Sequence, residues 1–200
     1  MKHRLLAQLC DLAYTPHKFP GIKGLKYCAS FNDEKTDTQA RVWMSGHVAV
    51  VVFPGTASGK DWLTNIEGYI THNRWRGIME RLNEKIYKLI PDHASIITAG
   101  HSLGAVYACY FGLHYQLEET VTFGCPNAFS SNDVEVLSNN NITRYVNLLD
   151  PVARLPRIGN WSNLGTKVHN NKINWKCQVP IVFNFLKAQH DIKFYERCIK

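Results

Sequence analysis

One stretch constrains this chain more than any other: Ile96-Ile97-Thr98-Ala99-Gly100-His101-Ser102-Leu103-Gly104-Ala105-Val106-Tyr107-Ala108. An apolar run leads into Gly-His-Ser-Leu-Gly, and a small-residue helical pattern follows. The spacing predicts a strand that turns sharply into a helix at Ser102, a strained nucleophile elbow. Gly100 and Gly104 leave room for that turn, because larger side chains would strike the neighbouring strand or helix. Ser102 would then present its hydroxyl at the top of a sheet. The positive end of a helix would stand beside it, where negative charge developing on an oxygen is stabilised. A serine that merely caps a helix in a glycine-bounded turn would explain the serine and one glycine. It would not explain two glycines bracketing a strand-turn-helix unit.

A nucleophilic serine needs a base and an acid to orient it, and in this motif both follow it, acid first. The favoured acid is Asp150, which ends the strand-like run Ile142-Thr143-Arg144-Tyr145-Val146-Asn147-Leu148-Leu149 and is followed by Pro151. A carboxylate at the C-terminal end of a parallel strand lies on the same edge as the elbow. Glu118 and Glu119, in the turn after the nucleophile helix, and Asp133 and Glu135, read as a Ser/Asn-rich surface loop, are weaker candidates. Three histidines follow Ser102: His114, His169 and His190. His114 falls within the predicted nucleophile helix. His169 lies beside an Asn-Asn pair that reads as the turn of a hairpin. His190 comes after the last strand-like segment, Lys176 to Phe185, and is the favoured base. It would take the proton of Ser102 while Asp150 fixes its tautomer.

Four ordered blocks now carry a resemblance. The elbow is the first. The second is Val50-Val51-Val52-Phe53-Pro54-Gly55-Thr56 followed by Asp61-Trp62-Leu63-Thr64-Asn65-Ile66. The third is Val121-Thr122-Phe123-Gly124-Cys125-Pro126. The fourth is Val146-Asn147-Leu148-Leu149-Asp150-Pro151-Val152-Ala153-Arg154-Leu155-Pro156. Together they resemble the class 3 lipases, the fungal lipase-like branch of the α/β hydrolases. His190, with Tyr195 downstream, loosely resembles the family's closing histidine block. The resemblance implies an α/β-hydrolase fold: a mostly parallel central sheet with helices on both faces and the nucleophile elbow at Ser102. It also implies an oxyanion hole built from the backbone N–H groups of Leu103 and Thr56. Asp61 resembles the family's structural aspartate and Trp62 a packing anchor. Trp62, Ile70, Trp75 and His101 are the candidates for contact with substrate.

The chain departs from that pattern in two places. Pro54 stands where the family commonly has an arginine before Gly-Thr. Only Glu67 to Ile70 separate Ile66 from Thr71-His72-Asn73-Arg74-Trp75, where interfacial lipases carry a hinged amphipathic lid. Four residues are too few for a lid helix with hinges, so the acyl groove is expected to stand open.

The resemblance thus implies a serine carboxylic-ester hydrolase acting on an acyl-glycerol or related lipid ester. A phospholipase, a thioesterase or acyltransferase, a peptidase, and a silent lipid- or protein-binding relative are the alternatives. No cofactor or metal is expected, since no C-x-x-C or close Cys/His cluster occurs. The six cysteines are expected mostly as free thiols, Cys109 and Cys125 among them in core elements.

Length and composition agree with one domain over residues 1–200. Apolar residues make up 45% and charged residues 20%, which leaves enough chain for a sizeable core. Strands are predicted over 26–31, 39–44, 49–53, 95–99, 120–123 and 142–148, and helices over 4–13, 75–90 and 103–115, with a short closing one. In the second helix Ile78, Leu82, Ile86 and Leu89 recur at helical spacing and Pro91 ends it. The Leu5–Cys10 run is too short and too interrupted for a signal peptide. No apolar run approaches a membrane span. The expected location is cytoplasmic or peripheral to a membrane. The formal charge of +7 would favour transient contact with an anionic membrane surface. The basic residues are scattered, and no nucleic-acid module is recognisable. A monomer or weak homodimer is expected.

Overall fold

The computed structural model describes residues 1–15, 21–33, 38–55, 70, 76–112, 115–156, 160–170 and 188–199. Seven strands form one sheet in sequence order: β1 (Lys26–Asp33), β2 (Thr38–Ser45), β3 (Val48–Phe53), β4 (Ser95–His101), β5 (Glu119–Phe123), β6 (Ile142–Asn147) and β7 (Thr166–Asn170). The first three strands are antiparallel neighbours, and β3 through β7 run parallel. Five described helices join them: α1 (His3–Ala13), α2 (Arg76–Tyr87), α3 (Leu103–Phe111), α4 (Ser131–Leu137) and α5 (Ile192–Cys198).

The order of the strands dictates where the helices go. Parallel strands laid down side by side, with right-handed crossovers, put every connecting helix on one face. α2, α3 and α4 are those connections. Leu82 and Ile86 of α2, Val106 and Phe111 of α3 and Leu137 of α4 share a single apolar cluster with Ala49, Val51 and Phe53 of β3. The other face is covered by the two ends of the chain. Leu6, Leu9, Cys10 and Ala13 of α1 and Ile192 and Tyr195 of α5 pack on Val50, Val52, Ile97, Ala99, Val121 and Phe123. The period-2 alternation of β3 therefore feeds two cores, which is why Val50-Val51-Val52-Phe53 is apolar without a break. This is a mostly parallel sheet flanked by helices on both faces, an α/β-hydrolase architecture.

Several elements differ from expectation. α2 stops at Tyr87 rather than running to Ile90. Leu89 N–H bonds to Ile86 and Ile90 N–H to Tyr87, the three-residue spacing of a tightened last turn. That tightening turns Leu89 out to 52% exposure and Ile90 in to 5%. Helix α3, after Ser102, stops at Phe111, with Gly112 as its C-cap. The loop expected around Asp133 and Glu135 is helix α4. The Ser130 hydroxyl accepts from the Asp133 N–H and the Asp133 carboxylate accepts from the Ser130 N–H, a reciprocal cap. The segment holding His169 is β7, paired parallel to β6. The second strand of the expected hairpin, the strand over 176–185, and His114 lie outside the described residues. Cys10, Cys109 and Cys125 are buried free thiols, and burial raises the Cys10 thiol far above its ordinary range. Among the described residues, no helix is long and apolar enough to cross a membrane.

Candidate functional site

The parallel register brings several strand ends to one edge. Phe53 is opposite Gly100, His101 is opposite Phe123, and Asn147 ends the next strand but one. At that edge β4 passes into α3 through Ser102. Its backbone has φ 58° and ψ −129°. It is the one non-glycine residue with positive φ among the described residues, a conformation that costs about 1–3 kcal/mol and persists only where surrounding structure enforces it. The enforcement is steric. A Cβ on Gly100 would overlap the carbonyl of Gly104, and a Cβ on Gly104 would lie 2.5 Å from the Pro54 oxygen and overlap the Phe53 carbonyl as well. The helix can start this close to β3 only because both positions lack side chains. The Ser102 side chain makes no capping hydrogen bond, so the strain does not serve the helix. Ser102 is also more enclosed than expected, with 4% exposure. A Cβ on Gly55 would come within 2.8 Å of the Ser102 Cβ.

Asp150 lies just beyond β6 and is fully buried. Three groups donate to its carboxylate. His190 Nδ1 lies 2.9 Å from Oδ1 and 2.8 Å from Oδ2. Tyr195 O–H donates to Oδ2 at 2.6 Å. Val152 N–H donates to Oδ1 at 2.8 Å, closing a turn after Pro151. A carboxylate that accepts from Nδ1–H holds the His190 ring as the tautomer whose Nε2 carries a lone pair. Tyr195 is itself anchored by the Asn147 N–H, which donates to its hydroxyl at 3.1 Å. Burial, followed by the Asp150 charge, pushes the Tyr195 phenol well above its ordinary range, so it stays a donor.

His190 is set by its own backbone as well as its ring. Gln189 C=O accepts from Asn147 Nδ2 at 2.7 Å. His190 C=O accepts from His101 Nε2–H at 2.7 Å. Gly124, which follows β5 with φ 60°, makes room beneath the pair. A Cβ there would lie 2.7 Å from Asp150 Oδ2 and 2.9 Å from the His190 ring. The elbow is tied to the same place, because Ser102 N–H donates to Phe123 C=O at 3.0 Å. Ser102 is therefore joined by one backbone hydrogen bond to the residue beside the glycine on which His190 rests.

The remaining expected site residues divide sharply. Leu103 opens α3, where first-turn N–H groups have no partner inside the helix. His101 has turned inward. Its Nδ1 is 2.7 Å from the Tyr14 hydroxyl and its Nε2 meets the His190 carbonyl, leaving neither ring nitrogen for a ligand. Ile70 is fully buried in the cluster on the α2/α3 face, so it packs as core. Thr56, Trp62 and Trp75 lie outside the described residues, as does the interval expected to leave the groove open. Tyr14 and Asn147 escaped the sequence reading as site residues. Their positions follow from contacts 87 and 42 residues away, for which no local pattern exists.

The sequence signature of the family described as Lipase (class 3) matches residues 50–160, more than half of the chain. No match is found among curated proteins. Solved structures share the fold. A triacylglycerol lipase from Penicillium expansum is 18% identical, with a TM-score of 0.67 over 84% of this chain and 77% of that one. The Lip2 lipase of Yarrowia lipolytica is 17% identical, with a TM-score of 0.65 over 86% and 78%. A lipase from Rhizopus microsporus var. chinensis is 20% identical, with a TM-score of 0.63 over 84% and 71%.

Proposed function

Because this chain belongs to the class 3 lipase family, we propose that it is a serine carboxylic-ester hydrolase of acyl-glycerols or related lipid esters, with Ser102, His190 and Asp150 as its catalytic triad. The observation that carries this reading is a strained serine that caps nothing, one backbone hydrogen bond away from the floor under a buried histidine–carboxylate pair.

The chemistry follows from those groups. His190 Nε2 takes the Ser102 proton as Oγ attacks the acyl carbonyl. The imidazolium that forms is stabilised by the Asp150 carboxylate, which Tyr195 and the Val152 N–H hold in place. The carbonyl oxygen becomes an oxyanion, for which the backbone N–H groups of Leu103 and Thr56 are the assigned donors. His190 then returns the proton to the departing alcohol, leaving an acyl-serine. Water, deprotonated by the same imidazole, releases the acid. Trp62 and Trp75 are assigned to the acyl groove. The excess of basic side chains suits transient contact with an anionic lipid surface.

The test is turnover of a panel of chromogenic acyl esters graded by chain length, by wild type and by Ser102→Ala. The variant should lose a factor of roughly 10⁶, since the acyl-enzyme route depends on the nucleophile. Retention of more than a few per cent of wild-type turnover would sink the assignment.

A further inference from the structure

A chain of hydrogen bonds crosses the molecule behind Ser102 and has no part in the proton transfers above. Gly55 N–H donates to the Tyr14 hydroxyl at 2.8 Å. That hydroxyl lies 2.7 Å from His101 Nδ1. His101 Nε2 lies 2.7 Å from the His190 carbonyl. Chemistry fixes every direction. A carbonyl only accepts, so Nε2 carries the proton. A neutral ring then has its lone pair on Nδ1, so Tyr14 must donate there. The Tyr14 oxygen keeps lone pairs free for the Gly55 N–H. Each donor meets one acceptor, and the scheme closes only with His101 neutral. A charged ring would aim a second N–H at the Tyr14 oxygen and take away the acceptor of the phenol proton.

The surroundings enforce the same state. His101 is 5% exposed, and burial, followed by the neighbouring His190, holds it well below the ordinary histidine range. Its ring stacks on that of His190 with centroids 4.6 Å apart and meets Tyr195 edge-on at 6.2 Å. The chain is tight as well as complete, because a Cβ on Gly55 would lie 2.6 Å from the Tyr14 oxygen and 2.9 Å from the His101 carbonyl.

We propose that Tyr14 and His101 are positioning residues, a neutral clamp that sets the Pro54–Gly55 peptide and the backbone of His190 at fixed places around Ser102. This rests on the hydrolase reading above. One end of the clamp holds Gly55, immediately before the proposed oxyanion donor, and the other holds the residue that carries the base. Tyr14 and His101 exchange no proton in the proposed reaction; His101 acts on it only through the backbone and ring of His190. Loosening the clamp displaces donor and base relative to the transition state while leaving acyl contacts alone. Such a change lowers kcat and spares KM.

The experiment uses the full chain, a soluble short-chain chromogenic ester, a serine-directed phosphonate, and ¹⁵N spectra of the histidine rings. Tyr14→Phe should lower kcat by roughly 10- to 100-fold with KM within about twofold of wild type, at an unchanged far-UV spectrum. His101→Gln, whose amide N–H can still reach the His190 carbonyl, should retain more turnover than His101→Leu. In wild type, His101 should appear as the neutral Nε2–H tautomer. A kcat within about twofold of wild type in folded Tyr14→Phe, equal turnover in the two His101 variants, or an Nδ1–H tautomer in wild type overturns the clamp. If Tyr14→Phe does not fold, the tautomer and the His101 pair decide. Wild type that neither turns over the ester nor takes the phosphonate at Ser102 overturns the hydrolase reading instead, and the tautomer still decides the hydrogen-bond scheme.

Discussion

The proposed nucleophile side of the site and the proposed base side are built by different physics. At the elbow, Ser102 is held by steric exclusion. Gly100, Gly104 and the Phe53–Pro54 backbone leave one path for the chain, and that path forces a positive φ on Ser102. On the other side, Asp150 and His190 are held by polar groups drawn from distant parts of the chain. Tyr195 and Asn147 bind across 45 and 48 residues, and His101 reaches His190 across 89. A position fixed by packing is rigid because overlap is costly at once. A position fixed by hydrogen bonds is tuned, because each bond contributes about 1 kcal/mol net. The nucleophile side should therefore tie activity to stability, and the base side should let activity fail alone.

The largest expected effect separates the two histidines. His190→Ala should cost at least roughly 10⁴-fold in turnover with a small change in unfolding midpoint. His169→Ala, on β7, should leave most of the activity. Steady-state assays of both, beside a urea melt, check this. The reverse pattern would move the base into the β7 segment.

Gly104→Ala probes the other side. Its new methyl must displace β3 backbone, since overlap with a carbonyl cannot be relieved by a rotamer. The expected cost is about 3 kcal/mol, with turnover falling in parallel. A urea midpoint close to that of wild type would show that packing at the elbow is looser than the geometry states.

A smaller effect depends on pH. The folded His101 has its affinity for protons depressed below the ordinary value of 6.5, by burial first and by His190 second. Tyr14, His190 and Tyr195 are the titratable groups that face it from α1, the base segment and α5. Above pH 6.5 the ring is neutral in both folded and unfolded states and contributes no pH dependence. Below it, the unfolded chain binds a proton that the folded chain refuses. Stability then falls by up to about 1.4 kcal/mol per pH unit until the folded pKa is reached. Urea midpoints at pH 7 and pH 5 should separate less in His101→Gln than in wild type. Equal losses in the two proteins would contradict a neutral buried His101.

The same contrast explains what the amino-acid sequence reveals. The elbow, β3 to β6 and Asp150 are legible because their signals are local: paired glycines, unbroken apolar runs, a proline after an acid. Helix α4 is legible in principle, since Ser130 and Asp133 stand at cap spacing, but the Ser/Asn content around them reads as loop. The closing turn of α2 defeats periodicity, because three-residue hydrogen bonds shift Ile90 inward at the expense of Leu89. β7 reads as half of a hairpin because local turn chemistry at Asn170-Asn171 says nothing of a parallel partner in β6. The roles of Tyr14, Asn147 and Tyr195 exist only once the chain has folded. Each is a single hydroxyl or amide whose partner lies more than 40 residues away.

The central claim is that an elbow fixed by packing and a base fixed by hydrogen bonds meet at one reactive hydroxyl. A serine-directed phosphonate followed by peptide mass spectrometry tests it most directly, in wild type and in His190→Ala. The account predicts one phosphonyl group per wild-type chain, on Ser102, and a labelling rate lower by several orders of magnitude in His190→Ala with the fold intact. Label on another serine, or labelling of Ser102 at the same rate without His190, would contradict it.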